Sequence, residues 1–546
     1  MSRLRLILLC VAAMLLAACA AAAKPTPTPA PVPTDAVTRP ATAAATRTPA
    51  PTDTPTESVA PTSTATPTST VTPRPTLTST ATATASLTPT PAGPTPTATA
   101  TTETYYEVSE ITLPTYPYAG FVRPVAEPTL GDYPLRVLDR EAYDASNPQP
   151  AAQKHRLLVL ENDYLRLSIL PDLGGRIYEC TFKPTGHNEF YSNPVVKPTR
   201  WGPPSPSGAN WWLALGGLEW GFPVEEHGYE WSAAWGFDQV RLPNGGMMIN
   251  LFTRGGPQNP YVVVDIIVPP DTAYFIVEPH IINPWATPFK FKWWANAMLA
   301  PGAANRPGPE LRFIFPVSQV TVHSTEDRTL PAAGQPMTWP VYQGRDMSRL
   351  GNWTRYLGAF QSPAARGDFM GVYDTAADEG MLRIYPSRVA RGAKLFAAGW
   401  SEALDPAAWT DDGSGYVELH GGLLPDFEQW YELPAGGEVT WSETWYPVAG
   451  IGGVTYANSA AALALAPTGR GLRAAFFPTS AVVGQLTLAL PGMAAAVYDV
   501  RSDPAHPFIQ EIELPAATPA QGEVGVTFTA ASGEVVFEWR GAAALR

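Results

Sequence analysis

Between Trp211 and Trp235 the chain reads WWLALGGLEWGFPVEEHGYEWSAAW, and here five of its seventeen tryptophans surround Glu219, Glu225, Glu226, His227 and Glu230. Carboxylates and an imidazole are side chains that move protons near neutral pH, and flat aromatic faces suit the CH surfaces of a sugar ring. The combination points to a carbohydrate cleft with Trp212, Trp220 and Trp231 as its platform and Glu219 and His227 as its acid–base groups. The same composition also fits a Trp-rich pair of core strands with solvated acids in the turn, and at the level of sequence both readings stand.

Other candidates lie farther along. Glu418 sits between Val417 and Leu419, the alternation of an inner strand, where a carboxylate needs a partner or a ligand. Asn296 follows Trp293 and Trp294, and Arg176 closes the glycine turn Pro171-Asp172-Leu173-Gly174-Gly175, where it either structures the turn or faces a cleft. His280 and His420 read as structural histidines and Cys180 as a small buried hydrophobe. The chain has no phosphate-binding loop, dinucleotide glycine fingerprint, nucleophile-elbow serine or zinc helix, and its seven histidines never fall at ligand spacing. No metal and no cofactor is therefore expected. Asp411-Asp412-Gly413-Ser414-Gly415 could hold calcium but reads more simply as a turn.

Strands must position these residues. Period-two or continuous β-type runs recur at 156–160, 164–170, 246–253, 261–268, 273–282, 289–294, 311–315, 381–385, 416–419 and 438–445, separated by turns such as Pro243-Asn244-Gly245-Gly246. No helical periodicity exceeds three turns, and strand does not alternate with helix. The pattern is all-β, antiparallel sheet packed on sheet, over residues 105–450. From 451 to 546 aromatic density falls and five or six short strands read as a small immunoglobulin-like sandwich.

The first residues form a targeting segment: Arg3 and Arg5, an apolar run from Leu6 to Leu16, then Leu16-Ala17-Ala18-Cys19. These last four resemble the lipobox of bacterial lipoproteins, so residues 1–23 imply cleavage before Cys19, lipidation of its sulfur and an extracytoplasmic, membrane-anchored protein. Residues 24–104 are Pro, Thr, Ala and Ser with hardly any apolar side chain large enough to pack, and read as a disordered tether. In an extended polyproline conformation about 80 residues would reach roughly 250 Å. With Cys10 removed and Cys19 modified, only Cys180 remains, so no intrachain disulfide is available. The net charge of −13 and the absence of a basic cluster argue against nucleic acid as a partner.

Three segments in chain order carry a resemblance. Glu161-Asn162-Asp163-Tyr164 leading into Pro171–Ile177, then Glu226-His227-Gly228-Tyr229, then Tyr416-Val417-Glu418-Leu419 with Pro425-Asp426 and Leu433-Pro434-Ala435-Gly436-Gly437, together resemble galactose mutarotase-like (aldose 1-epimerase) proteins. The resemblance implies a β-supersandwich, His227 in a sugar cleft and Glu418 as general base. It also shows two departures: Lys292 stands where the second histidine of the family belongs, ahead of the retained Asn296, and Trp231 replaces a substrate-binding arginine. More specifically, GGRIY, GGLEWGFP, Trp294-Ala295-Asn296 and YVELHGGL are similar to a bacterial domain of unknown function often found with tetratricopeptide repeats, although this chain has no such repeats. Three functions follow as expectations. A carbohydrate-binding protein with Glu/His acid–base chemistry leads, with Arg176, Trp212, Trp220, Trp231 and Asn296 as substrate contacts. A glycoside hydrolase or lyase using Glu219 and Glu418, and a non-catalytic surface lipoprotein, are the alternatives.

Overall fold

Period-two burial decides the architecture. Along Phe275–Ile282 every second side chain is buried, so this strand has one core face and one solvent face. Along Trp294–Leu299 and Val417–Gly422 every residue is buried, which requires cover on both faces. The computed structural model describes residues 103–546 apart from 128–132, 203–210, 254–260 and 362–366; the lipobox and the tether to residue 102 lie outside the described residues, whereas Thr104, expected in the tether, is buried and donates to the Val268 carbonyl. Among the described residues a fourteen-stranded and a nine-stranded sheet form the larger part, with almost every pairing antiparallel. An isolated parallel pairing joins Thr115 to Val196.

The large sheet runs Leu357–Gln361, Gly392–Ala397, Val417–Gly422, Trp294–Leu299, Leu218–Gly221 and Arg176–Phe182 as successive neighbours. Val417 and Leu419 point toward the nine-stranded sheet, as does Gly421, where an added Cβ would lie 2.2 Å from the Arg383 guanidinium. Arg383 and Glu443 form a fully buried pair between the layers, with Nε donating to Oε2 at 2.7 Å and Nη2 to Oε1 at 2.5 Å. Trp441 and Trp445 donate to the same carboxylate, so the charge is fully engaged.

The opposite face of the large sheet carries polar residues in one cross-strand row. Phe360 pairs with Lys394, Lys394 with His420, His420 with Asn296, and Asn296 with Glu219. Side chains directly opposite on antiparallel strands lie roughly 4.5–5.5 Å apart at Cβ, so residues distant in sequence become neighbours here. Glu418 is one step along this face, beyond His420.

Two four-stranded sheets complete the chain from Tyr456 to Ala544. Leu463, Leu472, Phe476, Leu488, Phe528 and Phe537 fill the space between them. The reverse face of the Gly471–Pro478 strand joins the main core, where Phe477 lies 6.1 Å from Phe182.

Some boundaries differ from the sequence pattern. The run 289–294 divides into Phe289–Phe291 and a separate strand beginning at Trp294, and 438–445 divides into Glu438–Thr440 and Glu443–Ala449. Trp294 itself fixes one wall of the polar face, with the edges of Phe427 and Phe360 against it. Gly422 is required there, because a Cβ would meet the indole at 2.5 Å. Gly422→Ala is therefore expected to destabilise the protein by about 1–3 kcal/mol, as overpacking does, measured by denaturant unfolding.

Candidate functional site

Glu219 is the centre of the polar row. It is 2% exposed and both its oxygens are engaged. Oε1 lies 2.6 Å from His227 Nδ1, and Oε2 accepts from Trp212 Nε1 at 3.2 Å. Arg176 Nη2 stands 3.1 Å from Oε2 as an ion pair, while its Nε and Nη1 donate to the Leu173 and Gly216 carbonyls. The Gly216-Gly217 turn makes this approach feasible: Gly217 has φ of +77°, and a Cβ there would collide with the Ile177 carbonyl.

His227 is held on three sides. Trp212 stacks on it at 4.2 Å and 21°, Glu219 takes Nδ1, and Asn296 Nδ2 lies 3.2 Å from the same nitrogen. Burial alone would lower its pKa, but the Glu219 hydrogen bond and the charges of Glu219, Glu418 and Glu226 outweigh this and hold it above the ordinary histidine value. With Nδ1 committed, Nε2 is the nitrogen free to meet a ligand.

A second carboxylate–imidazole pair faces the first. His420 Nε2 is 2.8 Å from Glu418 Oε2 and 3.3 Å from Lys394 Nζ, and the His227 and His420 rings are 6.5 Å apart. Burial raises the Glu418 pKa against the pull of His227 and Lys394. Burial, then Lys394, holds the His420 pKa well below the ordinary histidine value. Burial thus disfavours the charged form of both partners in the Glu418–His420 pair.

Beside these buried groups two side chains, Glu226 and His323, are partly exposed. The Glu226 side chain retains 34% of its surface, pairing with Lys394 at 3.0 Å and with His323 at 4.0 Å. Burial opposes its ionisation, yet Lys394 and then His227, His420 and His323 hold it well below the usual carboxylate range. Phe427 packs against His323, Phe360 and His420, with Lys394 over its ring. Trp430, 42% exposed, lies 4.4 Å from Lys292 Nζ at the outer edge.

The sequence candidates separate into two groups. Glu219, His227, Asn296, Glu418, Arg176 and Trp212 come together, but Arg176 and Trp212 serve Glu219 and His227 from beneath and present no face to a ligand. Trp220 and Trp231 lie outside the cluster, which corrects their assignment as platform. Trp220 stacks on Trp293 and donates to the Gly175 carbonyl, and Trp231 packs against Trp211 and Tyr229. All five tryptophans of the 211–235 stretch are buried: Trp212 and Trp220 lie on strands covered on both faces, and Trp211, Trp231 and Trp235 lie in the segments that flank them. Both oxygens of Glu219 are committed to His227, Trp212 and Arg176. Lys292 pairs with Glu225 at 2.8 Å and donates to the Phe427 carbonyl, clamping two loops. Asp411 and Asp412 are taken up by Lys197, Tyr116, Thr410 and Ser414, as in a turn.

Lys394, His323, Phe360 and Phe427 had no sequence signal. His420 had one: its two-residue spacing from Glu418 puts both on one strand face.

These shifts give the site a pH dependence. Burial and Lys394 lower His323 from 6.5 to about 4, and His420 is also held well below 6.5. Between the folded and unfolded values the unfolded chain binds more protons, so this contribution is present above 6.5 and lost as pH falls. His323→Asn should therefore lose less melting temperature than the parent protein between about pH 7 and about pH 5.

A family model for a domain of unknown function, DUF5107, matches residues 133–447, more than half of the chain. Among solved structures, a TPR-domain containing protein from Parabacteroides distasonis is similar over 64% of this chain and 56% of that one, at 21% identity and a TM-score of 0.51. The chain spans little more than half the length of that relative, and the likeness is one of fold. A galactose mutarotase-like protein from Clostridium acetobutylicum matches 54% of this chain and 96% of its own at 9% identity and a TM-score of 0.38. A galactose mutarotase related enzyme from Lactobacillus acidophilus matches 53% and 97% at 10% identity and a TM-score of 0.36.

Proposed function

The chain belongs to the DUF5107 family, and from that premise we propose that it binds a carbohydrate at the polar sheet face that carries Glu418 and His227 and transfers protons at the sugar's anomeric centre. The observation that carries this reading is the opposition of two carboxylate–imidazole pairs, Glu219–His227 and Glu418–His420, across Asn296 on one sheet face. Glu418 is the base that receives the anomeric hydroxyl proton. Protonated His227, oriented through Nδ1 by Glu219, is the acid that serves the ring oxygen from Nε2. Both groups have pKa values raised from their ordinary positions, which favours a proton-holding acid and a stronger base. Trp430, 42% exposed beside Lys292, replaces the buried tryptophans as the aromatic surface.

The test is a glycan-binding screen with the whole chain, joined to anomer exchange of the reducing sugars measured by NMR. Glu418→Gln should retain binding within a few-fold and lose exchange by about 100-fold or more, the usual scale of general acid–base catalysis. Binding to no glycan and no acceleration of any exchange would end this reading.

The same protein is lipid-anchored and extracytoplasmic in this proposal, with Cys19 lipidated and 24–104 as the spacer, supported by the charged, apolar and small-residue order of the first residues. Cys19→Ser should move the protein from the membrane fraction to the soluble extracytoplasmic fraction. Equal retention in the membrane would remove the anchor.

A further inference from the structure

The outer face of the nine-stranded sheet carries a second polar cluster. Asp265 and Glu278 are directly paired across the strands Tyr261–Val268 and Phe275–Ile282. Like charges directly opposed on antiparallel strands repel, and no lysine or arginine pairs with either among the described residues. His280 follows Glu278 by two residues and so shares its face. One ligand atom from each of Asp265, Glu278 and His280 lies within 4.8 Å of the others.

The imidazole is oriented as a ligand would be. Its Nε2 is sealed from solvent, makes no hydrogen bond, and stands 3.4 Å from Asp265 Oδ2. Its Nδ1 lies 3.5 Å from Glu438 Oε1, which places a carboxylate beside the other ring nitrogen, where a metal-bound imidazole takes a partner. Asp265 Oδ1 accepts from Asn250 Nδ2 at 2.6 Å, holding the carboxylate in turn. Metal bonds of roughly 2.0–2.2 Å place tetrahedral ligands about 3.3–3.6 Å apart, a spacing the Asp265–His280 pair already meets.

We propose that Asp265, Glu278 and His280 bind one divalent transition metal ion of the zinc or manganese class, with water completing the coordination and Glu438 and Asn250 orienting the ligands. One nitrogen and two carboxylate oxygens suit such an ion better than the all-oxygen shell that calcium takes. The ion neutralises the opposed carboxylates and ties two strands to the Glu438–Thr440 strand. This site is independent of the proposed carbohydrate site.

The experiment titrates the whole chain, stripped with chelator, with Zn²⁺, Mn²⁺ and Co²⁺ separately, following equilibrium dialysis and the visible Co²⁺ spectrum. One equivalent is expected, with a Co²⁺ spectrum that shows imidazole ligation and a higher melting temperature with metal. His280→Gln and Asp265→Asn should each weaken binding at least tenfold, and Glu438→Gln should weaken it less. Absence of binding, binding unchanged in His280→Gln, or a Co²⁺ site without imidazole would each overturn the proposal and leave His280 as a bridge between carboxylates. The Co²⁺ spectrum of the unaltered protein decides the matter even where a variant fails to fold.

Discussion

A carboxylate that is nearly closed to solvent sets the terms for the site. Glu219 would be costly where it lies without the Arg176 guanidinium, the Trp212 indole and the His227 imidazole around it. Each of those partners is itself held by backbone or by stacking, so the charge and its surroundings form one rigid unit. The glycine turn before Glu219, the Trp212 indole and the loop that delivers His227 all serve that unit. His227 consequently has one nitrogen fixed and one available, the condition for directed proton transfer.

The large sheet extends this constraint across its width. Five strands contribute Glu219, Asn296, His420, Lys394 and Phe360 in register, so a shift of one residue in any of them would turn its polar side chain into the opposite face. The opposite face admits little more charge, because Arg383 and Glu443 already occupy the space between the layers and press on Gly421. The two buried charge systems therefore lie on opposite sides of the Val417–Gly422 strand, and its glycines accommodate the groups that crowd it. Phe427 and the Lys292 clamp close the remaining sides and leave Glu226 and Trp430 toward solvent.

Sequence alone determined the all-β class, most strands of the second sheet and several members of the site. Phe275–Ile282 alternates in burial because one face meets water, and Tyr261–Val268 was legible as a continuous β-branched run. Glu219, His227, Asn296 and Glu418 were legible as polar residues set among apolar ones. Leu357–Gln361 and Gly392–Ala397 were not legible as strands, since burial on both faces removes the alternation that marks a strand. With them went Phe360 and Lys394.

Only the tertiary structure decided which groups face one another. Tryptophan next to carboxylate in sequence suggested a platform, yet packing buries all five of those rings, and Trp430, far away in sequence, is the exposed indole beside the Lys292 clamp. Sequence offered Glu219 as a proton or ligand group, and only the fold sets Arg176, more than forty residues earlier, against it. Asp265 and His280 likewise meet only through strand register. Local sequence carries periodicity and residue chemistry, whereas proximity across a sheet depends on register and packing, which no single segment encodes.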